Sequence, residues 1–226
     1  MTDPLAMLYP GLGTSARTSL TDPAAVRGLL MGSVRSKFED SVAAKRAFLD
    51  READTLVEMA RRLALVFRGG GRLLTMGNGG SATDAAHVAV EFNHPVTVGR
   101  PALPAIDLSA DAAMMTAVGN DVGFEQVFAR QLIAHGRASD ALLGLSTSGN
   151  AENLRVAFAW ARRAGMCTLA LVGGEGGAIA ASSDVDVCVT VPTASIHRIQ
   201  ECHVLAYHVL WDLVHTLLAQ GREADS

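Results

Sequence analysis

The chain has 226 residues, of which 49% are apolar and 19% are charged, and its formal net charge is −4. This composition supports a hydrophobic core and excludes a disordered tail protein, and the acidic balance argues against a broad nucleic-acid-binding surface. No run of about 18 uninterrupted apolar residues occurs, so no membrane span is expected. Residues 1–30 lack the pattern of a secretory signal. The three cysteines are widely spaced and odd in number, which indicates reduced thiols and not a set of disulfides. We therefore expect a soluble cytoplasmic protein.

The N-terminal part of the chain changes character near residue 33. Residues 1–32 contain three of the seven prolines and show no sustained periodicity, which predicts a flexible arm; an arm that wraps a neighbouring subunit is the alternative. From Val34 to Phe67, apolar residues recur at spacings near three and four, which predicts a two-helix extension. Three consecutive glycines beginning at Gly69 end this helical pattern.

The remainder of the chain alternates between strand-like and helical segments. Strands are predicted at Arg72–Met76, Ala102–Leu108, Ala141–Leu145, Thr168–Val172 and Asp186–Val191. Helices are predicted at Ser81–Glu91, Asp111–Ala117, Phe124–Ala134, Asn150–Ala164, near Ala178, and at Ser195–Leu218. This alternation predicts an α/β fold, a doubly wound parallel five-stranded sheet flanked by helices. Residues 33–220 would form one domain that includes the N-terminal helices.

Two polar loops follow predicted strands, which is where ligands bind in open parallel sheets. Residues Gly77–Ser81 follow the first strand, and residues Ser146–Asn150 follow the third. Small residues let a ligand approach the backbone, and the N–H groups at a helix start favour an anion. A single loop of this kind would be explained as an ordinary turn with helix-capping residues. Two such loops favour a phosphate-bearing ligand, although neither has the Walker or the dinucleotide-binding pattern.

Two helices carry side chains suited to proton transfer or metal binding. His87 and Glu91 are four residues apart and share one face of a helix. This spacing is typical of half a divalent-metal site, of an acid–base pair and also of an ordinary surface pair. The last predicted helix adds Gln200 and His208.

These motifs resemble the sugar isomerase (SIS) domains of the phosphoheptose isomerase family. The resemblance runs from about Val34 to the C-terminus, with five motifs in order. They are Gly77-Asn78-Gly79-Gly80-Ser81 with Asp84, His87 and Glu91; Arg100-Pro101-x-Leu103-Pro104; Gly119-Asn120-Asp121 with Gly123-Phe124; Ser146–Asn150; and Arg198-Ile199-Gln200-Glu201.

The resemblance implies a cytoplasmic homotetramer with sites at subunit interfaces that converts sedoheptulose 7-phosphate to D-glycero-D-manno-heptose 7-phosphate. It implies Glu91 as catalytic base and His208 as catalytic acid. Implied substrate contacts are Asn78, Gly79, Gly80, Ser81, Glu91, Asn120, Asp121, Ser146, Thr147, Ser148 and Gln200. In zinc-containing members the ligands correspond to His87, Glu91, Gln200 and His208, so one zinc ion per subunit is expected.

Two other functions are compatible with such a domain: a non-catalytic SIS protein, such as a replication-initiation partner, and a sugar-phosphate-sensing regulator. Retention of Glu91 and His208 favours the enzyme, and no helix-turn-helix segment supports the regulator. The chain departs from the family pattern at Ala151, where serine is common. It departs again at His94-Pro95-Val96, where the family has Gly-Arg and an aromatic residue. Both departures bear on which sugar is bound.

The spacing of Gln200 and His208 predicts a site shared between subunits. On one helix, residues eight apart lie about 12 Å apart and point about 80° away from each other. Ligands of one zinc ion must converge at distances near 2 Å. The simplest solution is that one of the two side chains completes the site of a neighbouring chain; a helix kink is the alternative.

Overall fold

The computed structural model describes residues 23–224, which fall into two units, residues 23–40 and residues 41–224. Helix α1 spans Pro23–Arg68. It begins at Pro23 rather than Val34 and is one helix, so the predicted pair of helices is wrong and residues 23–32 are helical. Proline suits the first turn of a helix, where its missing N–H costs no hydrogen bond. The rest of the predicted arm, residues 1–22, lies outside the described residues.

A five-stranded parallel sheet with helices between its strands forms the second unit, which confirms the predicted fold. The strands are β1 (Leu73–Gly77), β2 (Ala105–Asp107), β3 (Ala141–Ser146), β4 (Cys167–Gly173) and β5 (Val187–Val191), in the order β2-β1-β3-β4-β5. The helices after α1 are α2 (Gly80–Asn93), α3 (Ala112–Asp121), α4 (Val127–His135), α5 (Glu152–Arg163), α6 (Gly177–Ala180) and α7 (Ile196–Ala224), with a 3-10 turn at Phe124–Gln126.

The two faces of the sheet are covered by different helices. Successive side chains of a strand point to opposite faces, so Leu73 packs into the core under α1, α2 and α7, whereas Leu74 packs into the core under α4 and α5. All residues of β1 and β3 are buried, which is typical of central strands in a sheet covered on both sides.

The register of the sheet brings the two polar loops together. Gly77 at the end of β1 pairs with Leu145 in β3. Because both strands end at the same edge of the sheet, Gly77–Ser81 and Ser146–Asn150 emerge side by side.

Helix α7 is the one described helix whose length and averaged hydropathy would allow it to cross a membrane, over Ile196–Gln220. Polar and charged residues interrupt this segment, so it contains no run of about 18 uninterrupted apolar residues. One side of α7 carries Ile199, Ala206, Leu210 and Val214, which are buried in the core of the second unit. The core helix of a soluble protein passes the same test.

Candidate functional site

Helices α2 and α7 run parallel in a constant register. Gln200 lies beside Gly80, and the hydroxyl of Tyr207 lies 2.7 Å from Nδ1 of His87. One turn further on, the indole Nε1 of Trp211 donates to the backbone oxygen of Glu91 at 2.9 Å. Each of these pairs is separated by 120 residues, so the helices advance together from the polar loop towards the end of α2.

Three predicted site residues meet within one chain. Nε2 of His87 lies 3.1 Å from Oε1 of Glu91, and the rings of His87 and His208 are in edge-on contact at 5.2 Å between centroids. One ligand atom from each of His87, Glu91 and His208 falls within 4.8 Å of the others. His87 and Glu91 are half-buried and His208 is exposed, so this cluster opens to the surface.

Gln200 does not join these three residues in the same chain. A Cβ atom added to Gly80 would lie 2.1 Å from Nε2 of Gln200, so Gln200 packs at the very start of α2. His87 lies seven residues further along α2, about 10 Å away at 1.5 Å per residue. Helix α7 is continuous through Gln200 and His208. The four predicted metal ligands therefore divide into a cluster of three and a separate glutamine.

The first polar loop is fixed by its glycines and by an amide pair. Gly79 has a φ of 55°, a conformation that side chains other than glycine rarely adopt, and a Cβ at Gly77 would lie 2.3 Å from the backbone oxygen of Ser81. Asn78 and Asn153 exchange hydrogen bonds of 2.9 Å in both directions. In this structure the Asn78 amide, a predicted substrate contact, is therefore engaged with α5.

The hydroxyl side chains of the second polar loop become more exposed from Ser146 to Ser148. Oγ of Ser146 accepts from the N–H of Gly149 at 3.1 Å, and Oγ of Ser148 accepts from the N–H of Asn150 at 3.2 Å. Ser146 is buried, Thr147 is half-buried and Ser148 is exposed. Gly149 has a φ of 64°, and a Cβ there would lie 2.0 Å from the backbone oxygen of Gly176, so this turn requires glycine.

The predicted contacts Asn120 and Asp121 lie at the end of α3. Both are exposed, and the Asn120 amide donates to Oδ1 of Asp121 at 2.7 Å. Gly80 and Ser81 form the first turn of α2, where Ser81 is buried.

Three residues that contact predicted site residues are not identified from the sequence: Tyr207 and Trp211 beside the cluster, and Asn153 beside Asn78. Their partners are far away in the sequence, so only the register of α2 against α7 and the meeting of the two loops reveal them. Burial raises the pKa of Tyr207 above its ordinary value, and the carboxyls of Asp84 and Glu91 add to that effect. Burial also raises the pKa of Asp84, against the opposing influence of His87.

The donor set of the cluster fits a divalent metal ion. Two imidazole nitrogens and one carboxylate oxygen are ligands that Zn²⁺ commonly takes, and catalytic zinc sites have three protein ligands and an open position. His87, Glu91 and His208 could supply those three from one chain. Gln200 could contribute only from another chain or after moving away from Gly80.

Residues 37–173 match the sequence profile of the SIS domain, so the chain is an SIS-domain protein. The chain is 45% identical over 202 residues to a phosphoheptose isomerase from Chlorobium phaeobacteroides, covering 85% of this chain and 89% of that protein. It resembles the solved phosphoheptose isomerase of Neisseria gonorrhoeae, with a TM-score of 0.77, 37% identity, and coverage of 83% and 99%. The solved enzyme from Francisella tularensis gives a TM-score of 0.78, 36% identity, and coverage of 82% and 98%. The chain belongs to the phosphoheptose isomerase family.

Proposed function

We infer that this protein is an aldose–ketose isomerase that converts sedoheptulose 7-phosphate to D-glycero-D-manno-heptose 7-phosphate. The observation that carries this inference is the meeting of Glu91 and His208 with His87 in one chain, in a protein 45% identical to a phosphoheptose isomerase. A non-catalytic SIS protein that binds a sugar phosphate or a protein partner would not need an acid and a base within 4.8 Å of each other.

The reaction moves a proton between two adjacent carbons through an enediol. Glu91 takes a proton from C1 of the ketose, while His208 gives a proton to the carbonyl oxygen at C2. Glu91 then returns its proton to C2, and His208 accepts the proton of the hydroxyl on C1, which becomes the aldehyde. Both residues end in their starting protonation states, so the cycle is balanced.

The two polar loops would hold the phosphate and the sugar hydroxyls. The proposed contacts are those that the family resemblance supplies: Asn78, Gly79, Gly80, Ser81, Asn120, Asp121, Ser146, Thr147, Ser148 and Gln200. Exposed Ser148 and half-buried Thr147 can give hydroxyl donors, and the start of α5 favours an anion. Anchoring the phosphate would orient C1 and C2 towards the cluster and lower the entropic part of the barrier.

A zinc ion is part of this proposal. His87, Glu91 and His208 would hold it, with Gln200 of a neighbouring chain as the fourth ligand. Glu91 and His208 would leave the ion to act as base and acid, because a metal-bound carboxylate is a poorer base and a metal-bound imidazole has no free nitrogen to protonate. When bound, the ion would polarise the substrate carbonyl as a Lewis acid.

The proposal includes a cytoplasmic homotetramer whose sites lie at subunit interfaces. An apolar groove of about 400 Å³ lies between residues 42–56 of α1 and residues 205–209 of α7. Val42, Leu49, Leu205 and Val209 line it and are all exposed. An exposed apolar groove between two helices suits packing against helices of further copies.

A panel of sugar phosphates tests the function. Purified protein is incubated with sedoheptulose 7-phosphate and with shorter ketose phosphates, and the products are resolved by NMR. We expect a heptose 7-phosphate as the principal product. Absence of turnover with every sugar phosphate, with and without added Zn²⁺, would favour the non-catalytic alternative.

A further inference from the structure

Each ring nitrogen of His87 faces a polar partner, one on its own helix α2 and the other on α7. Nε2 lies 3.1 Å from Oε1 of Glu91, one turn along α2. Nδ1 lies 2.7 Å from the hydroxyl of Tyr207, on α7. The ring cannot flip or rotate without losing both contacts.

The hydrogen-bonding capacity of these groups fixes where the protons lie. A neutral imidazole has one donor and one acceptor nitrogen, and an ionised carboxylate only accepts. Nε2 of His87 therefore carries the proton that faces Glu91. Nδ1 is left as the acceptor, and the Tyr207 hydroxyl donates to it. We propose that Tyr207 is a positioning residue that holds the ring orientation of His87 through this hydrogen bond, while Glu91 keeps the proton on Nε2.

The Tyr207 hydroxyl is held rigidly enough for this task. Tyr207 is 1% exposed and belongs to the core that residues of α2 and α7 form with one face of the sheet. Its ring meets that of His87 edge-on at 5.2 Å between centroids and that of His208 at 4.8 Å. One turn further on, Trp211 donates to the backbone oxygen of Glu91. Two hydrogen bonds, from Tyr207 and from Trp211, therefore join α7 to α2 at the cluster.

A hydroxyl group suits this position because it both donates and accepts. Without a metal ion, Tyr207 donates to Nδ1 of His87. A metal ligand bond from Nε2 would require the proton to sit on Nδ1, and the same Tyr207 oxygen would then accept it. Partners of this kind orient metal-ligating histidines, and their loss typically lowers metal affinity about 10–100-fold. The consequence for catalysis rests on the proposed function, whereas the hydrogen bond that orients the His87 ring does not.

The first test reads the hydrogen bond at Nδ1 of His87 directly in metal-free protein. Wild type and Tyr207→Phe are labelled with ¹⁵N-histidine, stripped with a chelator, and compared by two-bond ¹H–¹⁵N spectra at pH 8.5, with His87→Gln to assign the signals. We expect His87 to keep its Nε2–H tautomer in both proteins, because Glu91 is intact. The ¹⁵N signal of Nδ1 should change from that of a hydrogen-bonded acceptor in the wild type to that of a free acceptor in Tyr207→Phe. His215 is an internal reference, since its ring nitrogens face the backbone oxygens of Trp211 and Pro101. An unchanged Nδ1 signal of His87 in the variant would overturn the proposal.

A second test separates positioning from the isomerase activity. Affinity for Zn²⁺ alone, measured by competition with a chromophoric chelator, should fall about 10–100-fold in Tyr207→Phe, with an unchanged unfolding midpoint because the ring remains. In the isomerase assay kcat should fall while KM for the sugar phosphate stays within about twofold. A change of the Nδ1 signal in a protein without turnover would support the positioning role and reject the proposed function. Normal turnover and normal zinc affinity in Tyr207→Phe would reject the positioning role and leave the function standing.

Discussion

Asn78 and Asn153 are joined by two side-chain hydrogen bonds, each amide donating to the carbonyl oxygen of the other at 2.9 Å. Asn78 belongs to the loop after β1, and Asn153 lies in the first turn of α5, just after the loop that follows β3. Because the pair links the two loops that we propose hold the sugar phosphate, it sets their separation.

Replacing Asn153 by leucine should weaken substrate binding as well as stability. The change removes both hydrogen bonds to Asn78, worth about 0.5–1.5 kcal/mol each, and frees the first loop. We expect a lower unfolding midpoint and a KM raised about 3- to 10-fold, an estimate based on the same hydrogen bonds. Steady-state kinetics and thermal unfolding measure the two effects.

Thr168→Val provides the matched control. It removes two hydrogen bonds between Thr168 and Asp186 at the opposite edge of the sheet. It should lower the unfolding midpoint without raising KM. Equal KM values for the two variants would show that the asparagine pair does not position the loops.

Gln200 lies apart from His87, Glu91 and His208 in one chain. Mixing inactive variants that exchange subunits can therefore test which chain supplies each residue. Glu91 and His208 meet within one chain, so mixing Glu91→Gln with His208→Asn should restore no activity. Mixing Glu91→Gln with Gln200→Ala should restore activity if Gln200 completes the site of a neighbour. In that case, the chain with intact Glu91 and His208 receives Gln200 from the other chain. Exchange itself is verified by mass spectrometry of tagged subunits, and failure of the second mixture despite exchange would assign Gln200 to its own chain.

The sequence predicted the sheet and the loops well because strand–helix alternation and turn glycines are local signals. It also predicted that His87 and Glu91 share a helix face, because a spacing of four is fixed by helix geometry. The contacts of Tyr207 and Asn153 could not be predicted, since they depend on the register of elements 75–120 residues apart. The early start of α1 could not be predicted, because residues 23–32 show no sustained apolar periodicity, although proline is favourable in a first turn.

Ala151 offers a way to separate phosphate binding from helix capping. It is the N-cap of α5 and makes no side-chain cap hydrogen bond, so serine or aspartate there should raise stability by about 0.5–2 kcal/mol. Ala151→Ser should also lower KM about 2- to 10-fold by adding a neutral hydrogen bond to the phosphate. Ala151→Asp should stabilise the helix but raise KM, because its charge repels phosphate. If both variants change KM in the same direction, phosphate does not bind beside this residue.

Buried His203 should make the stability of the protein depend on pH. Burial lowers the pKa of His203 to about 4, against the opposing influence of the Val172 carbonyl, whereas an unfolded histidine has a pKa of about 6.5. Between these values the unfolded chain binds more protons than the folded chain. The free energy of unfolding is therefore retained above about pH 6.5 and falls towards pH 4, by up to about 1.4 kcal/mol per pH unit.

Replacing His203 by leucine should reduce this slope between pH 6.5 and pH 5 in denaturant unfolding experiments. The exposed His197, on the same helix, supplies the control His197→Gln, whose slope should match that of the wild type. The account of His203 fails if the His203→Leu slope also equals that of the wild type.

Turnover of sedoheptulose 7-phosphate by Glu91→Gln tests the proposed chemistry most directly. The variant keeps the shape of the side chain but removes the base, so the rate should fall about 10²–10⁴-fold with the fold and oligomer intact. Glu58→Gln is the control, because Glu58 forms ion pairs with Arg61 and Arg62 on α1 and lies outside the cluster; it should turn over like the wild type. Near-normal turnover by Glu91→Gln would contradict the assignment of Glu91 as the base.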